Sequence, residues 1–354
     1  MSDATDTRPT KRTRLSGDPP PDRGKDSSRS SSKPQFKPAA EFWFDDGNVI
    51  LVASPRRVGF RIYRGLLASQ STIFSDMFAS SSASPEETFQ GCPVVQLSDS
   101  YHDLSHLLRV LLPKSRIHYQ PTDADPVRTF GEVSALVRLA HKYHVQPVQD
   151  QAIAALRLFD FTDDFNTHFT GVINNTRSLM TKDEHAIGAV NLARLTDTPS
   201  MLPLALYHCA YLGGALLDGW KRRDGTVEQL SRADLQRCIE GRITLAEEQR
   251  ILVYRLFDEN ASGDCDRPWV CHDMLRNMQE NTMLSRDYKD CPALTDWTAA
   301  WDASALCEEC KEELGRRNRR LQRQIWNRLP EIFDLEVEGW GEPESDDDDD
   351  DDDE

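Results

Sequence analysis

The sequence predicts an α+β protein in which a short β-sheet with a cluster of helices is followed by an all-helical C-terminal region. Alternating apolar residues give way, within residues 60–78, to apolar residues at helical spacing. From about residue 160 onward, apolar residues at helical spacing dominate. Both ends of the chain are polar and biased in charge, so we expect the folded part to lie between them.

The first predicted element is a β-hairpin. Residues 45–48, Asp-Asp-Gly-Asn, form a turn signal ahead of the apolar run at residues 49–52. Residues 54–57, Ser-Pro-Arg-Arg, then lead into an alternating segment at residues 58–62. Two strand patterns joined by a short segment rich in turn residues predict an antiparallel pair.

Two short helices are predicted immediately after the hairpin. Their apolar residues recur at helical spacing, at Leu66, Leu67, Ile73, Phe74, Met77 and Phe78. A third strand is predicted at residues 93–97, and Ser98-Asp99-Ser100 supplies a start signal for the helix that follows. A later helix is predicted at residues 133–145.

These residues resemble the BTB/POZ domain, whose centre is a strand followed by two helices. The matching positions are Leu66, Leu67, Ala68, Ser71, Phe74 and Phe78, and the match extends over roughly residues 41–160. The segment at residues 42–51, which begins Phe-Trp-Phe, is similar to a segment that is common in BTB proteins of mushroom-forming fungi. The resemblance implies a non-enzymatic domain that binds other proteins, as a scaffold or by self-association into homo-oligomers.

Two positions differ from the usual BTB pattern. Tyr63 stands where the family usually has a histidine, so no imidazole is available to pair with Asp46. Many BTB homodimers exchange a strand and a helix that precede the first hairpin, whereas the preceding residues here are rich in proline and serine. The resemblance therefore does not by itself imply an exchanged dimer.

Residues 161–258 are expected to form a helical bundle, with apolar faces at residues 186–195, 201–210 and 245–257. Such a bundle resembles the helical extension that follows many BTB domains and that helps ubiquitin-ligase adaptors bind a cullin scaffold. We find no internal repeat of the Kelch or ankyrin type. A substrate adaptor for a cullin-type ubiquitin ligase is therefore an alternative function without a recognisable substrate-binding domain.

Cysteines in residues 259–340 are the candidate site. Cys307-Glu308-Glu309-Cys310 has the two-residue gap that lets both thiolates reach one tetrahedral metal, and Cys265 and Cys271 precede it. These four residues form the predicted structural zinc site, with His272 and Cys291 as substitute ligands. The sequence slightly favours the other interpretation, in which the cysteines are ordinary thiols beside Trp269, Trp297 and Trp301. A redox role for the Cys-x-x-Cys pair is disfavoured because no thioredoxin-like pattern surrounds it.

Residues 316–326 predict a basic helix that is stopped near Leu329-Pro330. It has two interpretations, a nucleic-acid contact or a surface helix docked through Leu321, Ile325 and Leu329. The second is favoured, because nearby acidic residues would compete with phosphates for the arginines. Nucleic-acid binding is therefore not expected in the folded core.

The tails explain much of the formal charge of −17. Residues 1–38 carry nine Lys/Arg and five Asp/Glu and are expected to be a disordered basic tail, whereas residues 341–354 are expected to be a disordered acidic tail. The cluster at residues 11–14 could serve nuclear import, and the run at residues 346–353 could attract basic partners. A nuclear or chromatin-linked regulator is a further alternative, although solvated tails explain both features.

Three absences shape the remaining expectations. There is no secretory signal and no apolar stretch of about 20 residues, so we expect an intracellular protein, cytoplasmic or nuclear, without membrane contact. In a reducing compartment the eight cysteines are more plausibly thiols or metal ligands than disulfides. No nucleophile with a base, phosphate loop or metal triad was found, so an enzyme is not expected.

Overall fold

The computed structural model describes residues 35–83, 87–112, 129–174, 179, 182–285 and 292–341. The basic cluster at residues 11–14, the acidic run at residues 346–353 and Cys291 lie outside these residues. The chain is mixed α and β, with a small sheet followed by many helices. This agrees with the predicted α+β class.

A five-stranded sheet opens the fold, in the strand order β1-β3-β2-β5-β4. Its central strand is buried along its whole length, because alternate residues face two apolar clusters. One face meets the helices, and the other packs on Phe36 and Cys92. The strands are β1 (Lys37–Trp43), β2 (Val49–Ala53), β3 (Val58–Ile62), β4 (Thr88–Phe89) and β5 (Cys92–Leu97).

The predicted hairpin is confirmed, since β2 and β3 pair antiparallel with Leu51 opposite Phe60. The predicted third strand is confirmed as β5, which runs parallel to β2. Strand β1 was not predicted, and it pairs parallel to β3. It begins at Lys37, so the sheet includes the last two residues of the segment expected to be a tail.

Two short helices follow β3 directly, as predicted: α1 (Arg64–Ala68) and α2 (Thr72–Ala83). Ser71 fixes the start of α2, because its Oγ accepts the Phe74 N–H at 3.0 Å and donates to the Tyr143 carbonyl at 2.5 Å. The Phe74 ring stacks on the Tyr143 ring with centroids 4.2 Å apart. The motif serine therefore joins α2 to the end of a helix far along the chain.

Helices α3 (Tyr101–Leu111), α4 (Phe130–Lys142) and α5 (Gln146–Phe159) complete the first part of the chain. Ser100 caps α3 through the Asp103 N–H, as its position predicted. Helix α4 begins earlier than predicted, because Thr129 and Glu132 form a reciprocal capping box.

The C-terminal region is helical apart from one short sheet, which corrects the expectation that it would be all-helical. Strands β6 (Trp220–Lys221) and β7 (Val227–Glu228) pair antiparallel. Two residues per strand are too few for an alternating pattern to be visible in the sequence. The helices are α6 (Phe165–Asn174), α7 (His185–Leu195), α8 (Leu202–Ala210), α9 (Ala215–Asp218), α10 (Arg232–Leu256), α11 (Pro268–Leu284), α12 (Thr298–Asp302), α13 (Glu308–Asn327) and α14 (Leu329–Ile332).

One continuous apolar core runs from Ala39 in β1 to Phe333 after α14. The β6–β7 hairpin connects the early helices to the later ones, since Trp220 packs against Phe130 of α4 and His185 of α7. Gly188 of α7 permits this contact, because a Cβ there would lie 2.6 Å from the Trp220 ring. The described residues from Phe36 onward belong to one compact unit.

An ionic network reinforces the same junction. Arg138 of α4 lies 2.5 Å from a Glu228 carboxylate oxygen, and Arg222 pairs with both Glu228 and Asp103. Asn191 of α7 donates to Glu228 at 3.2 Å. The four charged side chains are all less than 20% exposed, so their charges are compensated by one another more than by water.

Candidate metal centre

Four cysteine thiols meet in the C-terminal region. The Sγ atoms of Cys265, Cys271, Cys307 and Cys310 all lie within 4.8 Å of one another. Cys265 belongs to the loop after α10, Cys271 is the fourth residue of α11, and Cys310 is the third residue of α13. These are the four residues that the sequence singled out, and the structure brings them together.

Local sequence explains how each pair is positioned. Cys307 is the N-cap residue of α13, so Cys310 lies in the first turn and its thiol points toward the same side. Pro268 opens α11 because it lacks an N–H and suits a first helical position. Cys271 therefore also lies close to a helix N-terminus.

The sulfur spacing matches a tetrahedral metal site. Cys271 Sγ lies 3.7 Å from Cys307 Sγ, and Cys307 Sγ lies 3.5 Å from Cys265 Sγ. A tetrahedral zinc ion with Zn–S bonds of about 2.3 Å separates its sulfurs by about 3.8 Å. All four cysteines are free thiols, so no disulfide competes for them. The cluster can hold a metal ion.

The site is closed on most sides. Cys271, Cys307 and Cys310 are at most 5% exposed, whereas Cys265 is half-buried at the surface. The backbone N–H of Ser262 donates to Cys310 Sγ at 3.4 Å, which orients that sulfur. Sequence reasoning could not find Ser262, because any residue at that position offers the same N–H.

Burial raises the pKa of Cys310 to about 11 and raises the pKa of Cys307 still further above its ordinary value. At Cys265 burial also acts to raise the pKa, but the Arg267 N–H and the neighbouring thiols outweigh it and lower the pKa. Cys271 donates to Cys307, and Cys307 donates to Cys265. A cation at the centre of the cluster would supply the positive charge that allows several thiols to deprotonate together.

One of the two substitute ligands, His272, does not join the cluster. His272 Nε2 lies 3.0 Å from a Glu259 carboxylate oxygen, which directs the ring elsewhere. Cys291 lies outside the described residues. Asp266 and Glu309 bring exposed carboxylates close to Cys307. Four sulfurs already satisfy a structural zinc ion, so these groups are not required as ligands.

A second pairing concerns the BTB-like region. Tyr63 donates its hydroxyl to Asp46 Oδ1 at 2.7 Å, and its ring stacks on Phe44 with centroids 5.1 Å apart. The carboxylate that lacks an imidazole partner is therefore bonded by a phenol. This contact was not predicted from the sequence, although both residues were identified as a departure from the family pattern.

Comparisons with protein-family models, with curated proteins and with solved structures each found no match. The function is therefore inferred from this chain's own residues. Within the part of the chain that the structure describes, no helix combines the length and the apolar character needed to cross a membrane.

Proposed function

We propose that this chain is a non-enzymatic protein-interaction protein of the BTB/POZ class, acting as a scaffold or by self-association. The supporting observation is the order of elements: a β-hairpin, two short helices, a strand returning to the hairpin, and then helices α3 to α5. The motif residues Leu67, Phe74 and Phe78 are at most 1% exposed. They act as core residues, as the resemblance implies.

The Tyr63–Asp46 contact supports the same proposal. A hydroxyl in place of the usual imidazole still donates a hydrogen bond to the aspartate, so the polar pairing at this position is retained. A phenol also remains neutral across physiological pH, whereas a histidine would change its charge.

The first test measures molecular mass by light scattering and captures partners from cell extract on the same purified protein. A dimer or larger oligomer that retains no cullin supports a self-associating scaffold. A monomer that retains a cullin favours the ubiquitin-ligase adaptor. A monomer that binds no protein at micromolar concentration contradicts both forms of the proposal.

We also propose that Cys265, Cys271, Cys307 and Cys310 hold one structural Zn²⁺ ion. Four thiolates in a closed site suit zinc, which prefers sulfur ligands and tetrahedral geometry in structural sites. The ion would connect the loop after α10 to the first turns of α11 and α13. Its role would be stabilisation, because no ligand position is left for a substrate or water.

Metal analysis of the purified protein tests this assignment. The native chain is expected to contain one zinc per chain, and a Cys307→Ser/Cys310→Ser variant none. Cys92→Ser is the matched control, because Cys92 is a buried cysteine of the sheet whose contact with the Gly47 carbonyl a serine can preserve. Native protein that binds no zinc after purification in its presence contradicts the assignment.

A further inference from the structure

An open groove lies between α13 and the turn that follows α10. It encloses about 320 Å³, and its charged lining comes from Arg255, Asp258, Arg317 and Arg320. Arg317 holds the two sides together, because it donates to the carbonyls of Leu256, Asp258 and Asn260 at 3.2 to 3.5 Å. The Arg317 side chain is 14% exposed and also pairs with Glu313 at 3.7 Å.

Two arginines of the groove have no acidic partner. Among the residues that the structure describes, no carboxylate oxygen lies within 4.0 Å of the side-chain nitrogens of Arg255 or Arg320, and both side chains are exposed. The acidic residue in the lining is Asp258, whose Oδ1 accepts the Asn260 N–H at 3.0 Å. The groove therefore carries net positive charge with free hydrogen-bond donors.

The same basic surface extends along α13. Arg319 and Arg323 both donate to the neutral amide oxygen of Asn166, at 2.9 and 2.8 Å. Arg316 and Arg328 differ, because they pair with Glu313 and with Glu248 and Glu331. Glu313 also pairs with Arg317, so the α13 arginines without a carboxylate partner among the described residues lie in the C-terminal half of the helix.

The last described residues, Trp340 and Gly341, lie beside this helix. Trp340 stacks on Trp326 at 4.7 Å and donates to its carbonyl at 2.8 Å, and a Cβ on Gly341 would lie 2.9 Å from the Asn327 side-chain oxygen. Arg320, Gln324 and Asn327 are spaced by four and three residues, so they lie along one face of α13. Gly341, which lies against Asn327, is therefore in line with the groove.

The distance is short enough for the acidic run to reach the groove. Asn327 lies seven helical positions after Arg320, which corresponds to about 10 Å. Asp346 lies five positions after Gly341, and an extended chain of that length spans up to about 17 Å. Residues 342–354 contain eleven acidic groups and no basic one.

We propose that the acidic C-terminal segment, residues 346–354, binds in this groove through Arg255 and Arg320 and so competes with any acidic ligand for it. Charge complementarity and covalent attachment both favour this occupant. A short tether gives the segment an effective concentration in the millimolar range, which an untethered acidic peptide rarely matches. This proposal does not depend on the BTB interaction surface or on zinc.

The test uses a fluorescently labelled octa-aspartate peptide and its anisotropy with the full-length chain. A tail-neutralised chain, in which Asp346–Asp353 are all changed to asparagine, is expected to bind the peptide at least about tenfold more tightly than the native chain. Adding Arg255→Gln and Arg320→Gln to the neutralised chain is expected to abolish that gain. Higher salt should weaken binding in every case.

Arg232→Gln in the neutralised chain is the matched control, because Arg232 is exposed in the first turn of α10 and has no carboxylate partner within the described residues. It is expected to leave peptide affinity unchanged. The glutamine variants should melt at the native temperature, since both arginines are exposed, which separates lost binding from lost folding.

The proposal is overturned if the native and neutralised chains bind the peptide equally, or if neither chain binds it. It is also overturned by any of the three outcomes that follow. The Arg232→Gln control weakens binding as much as the double variant. The degree to which the native chain excludes the peptide depends on protein concentration, which would show that the tail binds to a second copy of the chain. A single-stranded oligonucleotide binds the native and neutralised chains equally well, which makes the groove a nucleic-acid site.

Discussion

The sheet with helices α1 to α5 and the region that contains α11 and α13 are held in different ways. Helix α4 buries eight of its 13 residues, whereas α11 buries two of 17, Cys271 and Leu275. Trp269 and Leu284, at the two ends of α11, are 88% and 83% exposed. Apolar burial alone therefore explains the position of α4 but not that of α11.

Helix starts show the same contrast. Ser100 and Thr129 cap α3 and α4 through hydrogen bonds to backbone N–H groups. The N-cap residues of α11 and α13, Arg267 and Cys307, make no such side-chain bond. The cysteine cluster lies at these two uncapped starts. Metal-bound thiolates would provide negative charge at the start of α11, which has no acidic residue in its first turn, and would add to that of Glu308 and Glu309 at the start of α13.

The largest expected effect is the loss of an aromatic ring from the sheet-and-helix core. Phe74→Ala is expected to lower the free energy of unfolding by about 3 to 5 kcal/mol, because Phe74 is fully buried and stacks on Tyr143 and Phe78. Urea unfolding measures this change. Leu158→Ala, at a 58% exposed position of α5, should stay within about 0.5 kcal/mol. Equal losses from both changes would contradict the assigned core.

Metal removal is expected to affect the other region almost exclusively. Chelation should lower the hydrogen-exchange protection of α11 by about 100-fold, since its two buried side chains cannot hold it without the cysteine cluster. Amides of α4 should keep their protection. An equal loss of protection in both helices would mean that the two regions unfold together. Unchanged protection of α11 would mean that the cysteine cluster does not stabilise this helix.

The same contrast explains which parts of the fold and of the candidate site could be predicted from the sequence. The β2–β3 hairpin and α1–α2 were predictable, because periods of 2 and 3.6 follow each other there without interruption. Strand β1 was not, since its buried positions, Ala39 and Phe42, do not alternate. The Cys-x-x-Cys spacing identified one half of the candidate metal centre locally. The approach of Cys265 and Cys271 depends on how α10 and α11 pack, which no local pattern encodes.

Acid is expected to destabilise the contact between α6 and α13. His168 of α6 lies against Trp326 with ring centroids 4.9 Å apart, and its Nε2 has no hydrogen-bond partner among the described residues. Burial lowers the pKa of His168 to about 3 and that of nearby His208 to about 4. Both rings are therefore neutral in the folded protein at pH 5.

An unfolded histidine has a pKa of about 6.5, so the unfolded chain binds more protons than the folded chain between pH 6.5 and about 4. Stability should be independent of these groups above pH 6.5 and should fall as the pH drops below it. We expect a loss of about 1 to 2 kcal/mol between pH 7 and pH 5, allowing for the partial exposure of both rings. His168→Gln should reduce the pH dependence measured by urea unfolding, and an unaltered slope would exclude His168 as its source.

The smallest expected effect changes sign with the metal. Serine is among the best N-cap residues, and Cys307 occupies the N-cap of α13 without a capping hydrogen bond. In chelated protein, Cys307→Ser is therefore expected to raise the free energy of unfolding by about 0.5 to 1 kcal/mol. In zinc-loaded protein the same change removes a ligand and should lower it. Thr129→Ala, which removes a cap from α4, is the comparison variant and should cost about 1 kcal/mol with or without metal. A change of the same sign in both states of the Cys307 variant would show that this sulfur acts as an ordinary packed thiol.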